Sequence, residues 1–325
     1  MAQTKSNRYM QLVMDECARI VGNRLIPNSI ADELFNSVTG NGLLFSDHPM
    51  ALATLPIAAY EAAGGRRLEA AVPAAAAMEF ILTAGDILDD LQDGDLVAEE
   101  GGHPQNYVRA TELITVLLLL AEHAIQSTDS KLVHRSRITK SIANFSMYKM
   151  KAFAAQFDDA HAQDSIETTP LQVLERTQSK SGSLGKCAGT LGAILATDDP
   201  AVIELAAEYG EHLGVIYQLK NDISDLWPGY GSLDDVISGK ATAPTSFSLA
   251  VSNVESGNSA LSRLLENQHP QQDDREKART EAFESGGIHF AMIQSFAHLA
   301  RANTVALKLS DLVDADSNKI ILGTN

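Results

Sequence analysis

The sequence predicts an all-α protein, a single-domain antiparallel helical bundle over residues 1–325. Three observations predict it. Helical periodicity recurs from one end of the chain to the other, without the sustained alternation of a half-buried strand. Alanine and leucine abound while proline and aromatic residues are sparse, a mix that favours helix. Turn signals are brief and lie between long periodic segments, which places successive helices antiparallel. At 325 residues and 45% hydrophobic, the chain can bury a substantial core.

The elements follow from the breaks. Apolar periodicity gives candidate helices at 7–23 and 50–63, with Asn41-Gly42 marking a turn between them and Gly64-Gly65 ending the second. Pro73 suits the start of a helix, where no partner for its missing N–H is needed, and 73–93 then runs without a breaker except Gly85. Gly101-Gly102 and Pro104 divide it from a helix at 105–127. That helix holds the most apolar stretch, LITVLLLLA at 113–121, between Glu112 and Glu122. It is about half the roughly 20 residues that span a bilayer, so a buried core helix is expected. Helices at 131–157, 171–195 and 200–226 come next, the last two divided by Asp198-Asp199-Pro200, with Pro228-Gly229 closing the third. Shorter candidates at 243–254, 259–267 and 273–284 lead to a final helix at 288–313, with the polar stretch 268–276 as a solvated loop.

Charge and cysteine usage narrow the function. A net charge of −17 argues against a nucleic-acid partner, because phosphate backbones are held by clustered Lys and Arg. It also means that an anionic substrate needs metal ions or a local basic pocket. Cys17 and Cys187 are far apart and lack metal-ligand spacing, which suits a reducing compartment. The N-terminal segment has no uninterrupted apolar run and no stretch is long enough to be transmembrane, so a cytoplasmic protein is expected.

Two polar stripes carry the chemistry. On the helix 73–93, Asp86, Asp89, Asp90 and Asp93 fall at i, i+3, i+4 and i+7, on one face. Most charge runs are solvated faces. Here the preceding residues, Ala74 to Ala77, Phe80 and Ile81, are apolar, which places the helix inside the bundle. Like charges at i,i+4 destabilise a helix by a few tenths of a kcal/mol per pair, and no Lys or Arg in the stretch relieves them. A hard divalent cation such as Mg²⁺ would. On the helix 200–226, Gln218, Asn221, Asp222 and Asp225 repeat the same spacing. If the two stripes face each other, their carboxylates hold metal ions at the mouth of an apolar cavity. That arrangement binds a diphosphate and leaves room below for a hydrocarbon tail.

DDLQD at 89–93, followed far downstream by QLKNDISD at 218–225, resembles the two aspartate-rich motifs of the trans-isoprenyl diphosphate synthase (polyprenyl synthetase) family. GGRR at 64–67 resembles its Gly-Gly-Lys-Arg turn, QFDD at 156–159 its Gln-x-x-Asp pair, KSGSL at 180–184 its Lys-Thr-Gly motif, and DDVISGKATAP at 234–244 its Asp…Gly-Lys-x-Thr-x-Pro segment. Six motifs in order make a strong resemblance, and the compact first motif followed by Gly-Asp is similar to the divergent ComQ-like branch. The resemblance implies the class I isoprenoid synthase fold with a central apolar cavity, a prenyl diphosphate substrate, three Mg²⁺ ions with the bound diphosphate, and a homodimer. It implies metal ligation by Asp89, Asp90, Asp93, Asn221, Asp222 and Asp225. Lys180 and Lys240 would neutralise the diphosphate. Arg66, Arg67, Gln156, Asp159, Gln218 and Lys220 would bind substrate or steady the motifs. Chain length in the family is limited by bulk just before the first motif, where this chain has Ala84 and Gly85; small residues there predict a pocket suited to C15 or longer tails. Close helix packing is the competing reason for Gly85.

The pattern breaks where isopentenyl diphosphate would bind. An Arg expected three residues after the Gly-Gly-Lys turn is Glu69, the expected His is Leu82, and Glu99-Glu100-Gly101-Gly102 stands where Arg-Arg-Gly is expected. Acids in place of bases repel a second diphosphate. The reading placed first is therefore a Mg²⁺-dependent enzyme that ionises an allylic diphosphate and cyclises it, as a terpene synthase does, or passes it to an acceptor other than isopentenyl diphosphate. An ordinary chain-elongating synthase comes second, and a non-catalytic regulatory subunit third. Asn221 in place of Asp is reminiscent of terpene cyclases, although their full Asn-Ser-Glu pattern is absent.

Overall fold

The computed structural model describes residues 2–23, 26, 28–40, 52–93, 104–162, 166–227, 233–237, 239–251, 259–266 and 272–322. All regular structure among them is helical, as the sequence predicts. In chain order the helices are α1 (Ala2–Val21), α2 (Asn28–Gly40), α3 (Leu55–Ala62, entered through a 3₁₀ turn at Leu52–Thr54) and α4 (Val72–Asp93). They continue as α5 (Pro104–Gln126), α6 (Arg135–Ala160), α7 (Pro170–Thr177), α8 (Ser183–Ala196) and α9 (Pro200–Leu226). The remainder are α10 (Asp234–Ile237), α11 (Ala243–Val251), α12 (Ala260–Glu266), α13 (Gln272–Glu284) and α14 (Gly287–Leu322). Three of the turn signals, Asn41-Gly42, Gly101-Gly102 and Pro228-Gly229, lie outside the described residues, as do Asp95 and Glu99-Glu100.

α4 is the central element. Ala74 to Met78, Phe80 and Ile81 are at most 2% exposed, and the helix packs against α1, α5, α6 and α8. Its apolar first half fixes it in the core, and its acidic second half emerges where α6, α8 and α9 converge.

α8 and α9 meet almost backbone to backbone. A Cβ on Gly185 would lie 2.1 Å from the Gly210 carbonyl oxygen, and one on Gly210 would lie 2.1 Å from that of Gly185. Gly189 against Ala206 and Gly214 against Ser181 repeat the contact at 2.1 Å. Only residues without side chains allow this approach. It brings the start of α8 level with the polar stripe of α9.

The structure departs from expectation at several places, one being that α13 begins at Gln272, inside the stretch 268–276 expected as a solvated loop. α2 was not expected, yet Ile30, Leu34, Phe35 and Val38 are spaced for one helical face, and Leu34 and Val38 are buried. The segment 171–195 is three pieces: α7, a π-helical turn at Gln178–Gly182, and α8. α5 is not wholly buried, because Leu117 and Ala121 face the core while Val108 and Leu119 are 58% and 64% exposed. α14 continues past 313 to Leu322. Among the described residues no helix is long and apolar enough to cross a membrane.

Candidate active site

The two predicted stripes do face each other. α4 brings Asp86 and Asp89, α9 brings Tyr217, Gln218, Asn221 and Asp222, and the segment 235–242 closes one side; Asp90 lines neither chamber. Asp89 is the hub. Gln156 Nε2 donates to its Oδ1 at 2.7 Å and also to Gln92 Oε1 at 2.7 Å. Lys180 Nζ donates to the same Asp89 oxygen at 3.2 Å, and Lys240 Nζ does so at 3.3 Å. Lys180 also donates to Asp159 Oδ2 at 3.3 Å, and Arg176 stands 3.9 Å from the other oxygen of Asp159.

Lys180 reaches this point because of the π turn. A π turn adds a residue to the helical repeat, and such turns concentrate at functional sites. Ser181, one residue on, donates to Gln218 Oε1 at 3.0 Å and ties the turn to α9. Gln218 Nε2 donates to Asp222 Oδ1 at 2.9 Å, and the backbone N–H of Ala243 donates to its Oδ2 at 3.2 Å. Asp225 accepts from the backbone N–H of Leu233 at 2.8 Å. Leu233 has φ 65° and is fully buried, so the chain entering α10 holds a left-handed conformation that a bulky residue rarely adopts.

The electrostatics are uneven. Burial pushes Asp89 up, but Lys180, Lys240 and Gln156 outweigh it and hold the carboxyl below its ordinary value. Burial, and then repulsion from Asp90 and Asp89, push Asp86 up to about 8. Asp235 rises to about 8 through burial and repulsion from Asp222 and Asp225. Asp222 rises to about 6, again mainly by burial. Lys180 and Lys240 therefore hold Asp89 ionised, Lys180 being shared with Asp159, while burial drives Asp86 and Asp235 toward their protonated forms.

Two chambers adjoin here. A polar one of about 50 Å³ is lined by Asp89, Asp159, Lys180, Gln218, Asp222, Asp235 and Lys240. A second, of about 180 Å³, shares Asp89, Lys180, Gln218 and Asp235 but extends between Leu52, Ile81, Leu82, Phe153 and Leu184. Gly85 opens onto it, with nothing within 4 Å of where its Cβ would be, so helix packing does not account for this glycine. Ala84 is buried and does not line the chamber.

The chemistry of the donor set suits a hard divalent cation, since among the described residues carboxylate and amide oxygens line both chambers and no histidine or cysteine does. Among the described residues no three His, Cys, Asp or Glu side chains are close enough to hold one ion as they stand. The Asp93 side chain lies outside the described residues.

Other expected residues lie apart. Arg66 and Arg67 are exposed on the loop after α3, Glu69 is exposed beside them, and none lines either chamber. Lys220 is exposed on α9, away from the chamber-lining positions. Two residues absent from the predicted set are present in the site. Asp235 was within the DDVISGKATAP motif, and its signal was its position five residues before Lys240. Asp86 was on the acidic stripe but lines the apolar-walled chamber.

Residues 52–282 match the family model described as polyprenyl synthetase. Among curated proteins, the chain is 29% identical over 201 residues to geranylgeranyl diphosphate synthase of Mycobacterium tuberculosis, covering 59% of this chain and 56% of that protein. It is also 29% identical over 179 residues to the chloroplastic heterodimeric geranylgeranyl pyrophosphate synthase small subunit of Arabidopsis thaliana, covering 52% of each. The chain thus spans only about half the length of these relatives. Among solved structures, the polyprenyl synthase of Caulobacter crescentus, complexed with calcium and isoprenyl diphosphate, superposes with a TM-score of 0.79 at 20% identity, over 96% of this chain and 95% of that one. At that identity the likeness speaks for the fold.

Proposed function

Since the chain belongs to the polyprenyl synthetase family, we propose that its two chambers bind the diphosphate and the tail of an allylic prenyl diphosphate, ionise it, and transfer the prenyl group to isopentenyl diphosphate. One observation carries the reading. Two lysines, one from the π turn and one from the loop before α11, converge on a single α4 carboxylate where the polar chamber opens onto the apolar one.

Ionisation separates a carbocation from pyrophosphate, so charge must be stabilised where it develops. Lys180 and Lys240 supply two fixed positive charges at that point, and Arg176 a third nearby. Asp89, Asp90, Asp93, Asn221, Asp222 and Asp225 would hold Mg²⁺, with Asp235 beside them. The metal, when bound, supplies Lewis-acid stabilisation of the leaving pyrophosphate. Gln156 and Asp159 keep Asp89 and Lys180 in place. The chamber walls exclude water from the cation, and the open space at Gly85 suits a C15 or longer tail.

The names of the relatives favour elongation over cyclisation. A non-isopentenyl acceptor or cyclisation is the second reading, because Leu82 puts a hydrocarbon in the chamber wall where the family resemblance expects a His. We extend the proposal to one helical domain spanning residues 1–325, to a cytoplasmic location, and to a homodimer formed through exposed apolar residues such as Leu119 and Met150. Purified protein, given Mg²⁺ and geranyl, farnesyl or geranylgeranyl diphosphate with and without isopentenyl diphosphate, tests the function. Longer prenyl diphosphates are expected only with isopentenyl diphosphate. Hydrocarbon or alcohol with no longer prenyl diphosphate even when isopentenyl diphosphate is present would favour the second reading, and complete inertness a regulatory subunit.

A further inference from the structure

Asp86 lines the apolar-walled chamber but not the polar one. It sits one helical turn before Asp89, about 4.5 Å away along the axis at 1.5 Å per residue, in the direction of Leu82 and Ile81. That depth is comparable with the span from the bridging oxygen of an allylic diphosphate to the methyl group on C3. Lys180 and Lys240 donate to Asp89, one turn nearer the mouth. A carboxyl group walled by Leu82, Phe153 and Leu184 is held largely protonated at neutral pH, so it takes up a proton only in its ionised form, which alkaline buffer populates. Gly85 keeps the space beside it open, and Tyr217 faces it from α9 as a second polar group in the wall. Asp86 is thus the α4 carboxyl that lines the apolar-walled chamber one turn deeper than Asp89.

We propose that Asp86 gives the protein an acceptor-free activity, the elimination of pyrophosphate from an allylic prenyl diphosphate to release a conjugated hydrocarbon. The proposal rests on the ionisation step above and needs no second substrate. The C1–O bond breaks and its electron pair leaves with pyrophosphate. A C–H bond of the methyl group on C3 then breaks, its electron pair forms the new C=C bond, and the proton passes to an Asp86 carboxylate oxygen. Water takes that proton when the product leaves. Leu82, which offers a second diphosphate no donor, is no handicap to a one-substrate reaction.

The test is incubation at a pH above 8, where Asp86 is ionised, with Mg²⁺ and farnesyl diphosphate alone, with pyrophosphate, farnesol and C15 hydrocarbon quantified. Hydrocarbon is expected from the parent, with a primary isotope effect on the hydrocarbon-to-farnesol ratio when the C3 methyl is deuterated. Asp86→Asn is expected to lower that ratio at least tenfold, and Asp86→Glu to recover part of it. Thermal melts check that the variants are folded, and the isotope effect stands on the parent alone should they not be. Pyrophosphate release by the parent with only alcohol formed would overturn the proposal. So would an unchanged ratio in a folded Asp86→Asn, including one that merely needs more Mg²⁺. A parent that releases no pyrophosphate from any allylic diphosphate, even with isopentenyl diphosphate, overturns the ionisation reading itself.

Discussion

Lys240 lies 151 positions along the chain from Asp89, yet its ammonium nitrogen is 3.3 Å from Asp89 Oδ1. Lys180 shares that oxygen at 3.2 Å. Two cations on one carboxylate form a poised cluster, able to exchange one anionic partner for another without moving far. An incoming diphosphate offers more negative charge than Asp89 does.

Removing either cation should therefore weaken the chemistry more than the fold. Lys180→Met and Lys240→Met are each expected to lower kcat for pyrophosphate release about 10²-fold, in the range seen for single charge-stabilising donors. Steady-state kinetics with farnesyl diphosphate and Mg²⁺ check this. Asp89→Asn is expected to lose at least as much.

Gly85 gives a prediction of opposite sign. A Cβ there meets open space, so Gly85→Ala should raise helix stability by up to about 1 kcal/mol. Gly85→Phe should fill the chamber and shift preference from geranylgeranyl or farnesyl toward geranyl diphosphate. Substrate competition assays, paired with thermal melts, separate the two effects.

The α8–α9 seam has no such tolerance. Gly210→Ala places a methyl 2.1 Å from the Gly185 carbonyl, and the backbone has to move. A loss of about 1–3 kcal/mol is expected, the usual range for overpacking. Because α9 carries Gln218 and Asp222, activity should fall further than the lost stability explains. Denaturant titration and turnover on the same sample check both.

Acid sensitivity should trace to His212 and His298, whose Nδ1 atoms are 3.1 Å apart between α9 and α14. One ring must be neutral to accept this hydrogen bond. Burial first, then the charges of His212 and Arg301, lower His298 from 6.5 to about 4. Burial likewise lowers His212, against the pull of Glu208 and Glu211. A folded-state value below the unfolded one means that the native state binds fewer protons, so stability falls as pH drops below about 6.5 toward 4. His298→Gln should flatten that decline in pH-dependent melts, with Lys186 and Arg301 unchanged beside it.

Mg²⁺ with pyrophosphate should raise the melting temperature, since a ligand bound only by the native state stabilises it by mass action. A chelator should reverse the rise, and Asp222→Asn should blunt it.

Much of this was legible in the sequence because helical spacing is a geometric rule. Asp86, Asp89 and Asp90 share a face of α4 as their numbers require, and Gln218, Asn221 and Asp222 do so on α9. Asp86 shows the limit of the rule. Spacing places it on the acidic face, whereas its depth and its apolar neighbours come from α6 and α8 packing alongside. Leu119 shows another, since an apolar run does not reveal which of its members lack a partner. Arg66 and Arg67 kept a family turn but are placed away from both chambers. α2 carries the helical period too, in Ile30, Leu34 and Val38.

The π turn at Gln178–Gly182 also has a consequence for chain length. Deleting one residue there would restore a regular helix and would rotate everything on one side of it by about 100° relative to the other. Either Lys180 would leave Asp89 or Gly185 would leave Gly210. The reach of Lys180 toward Asp89 and the register of Gly185 on Gly210 thus both depend on the length of this one turn.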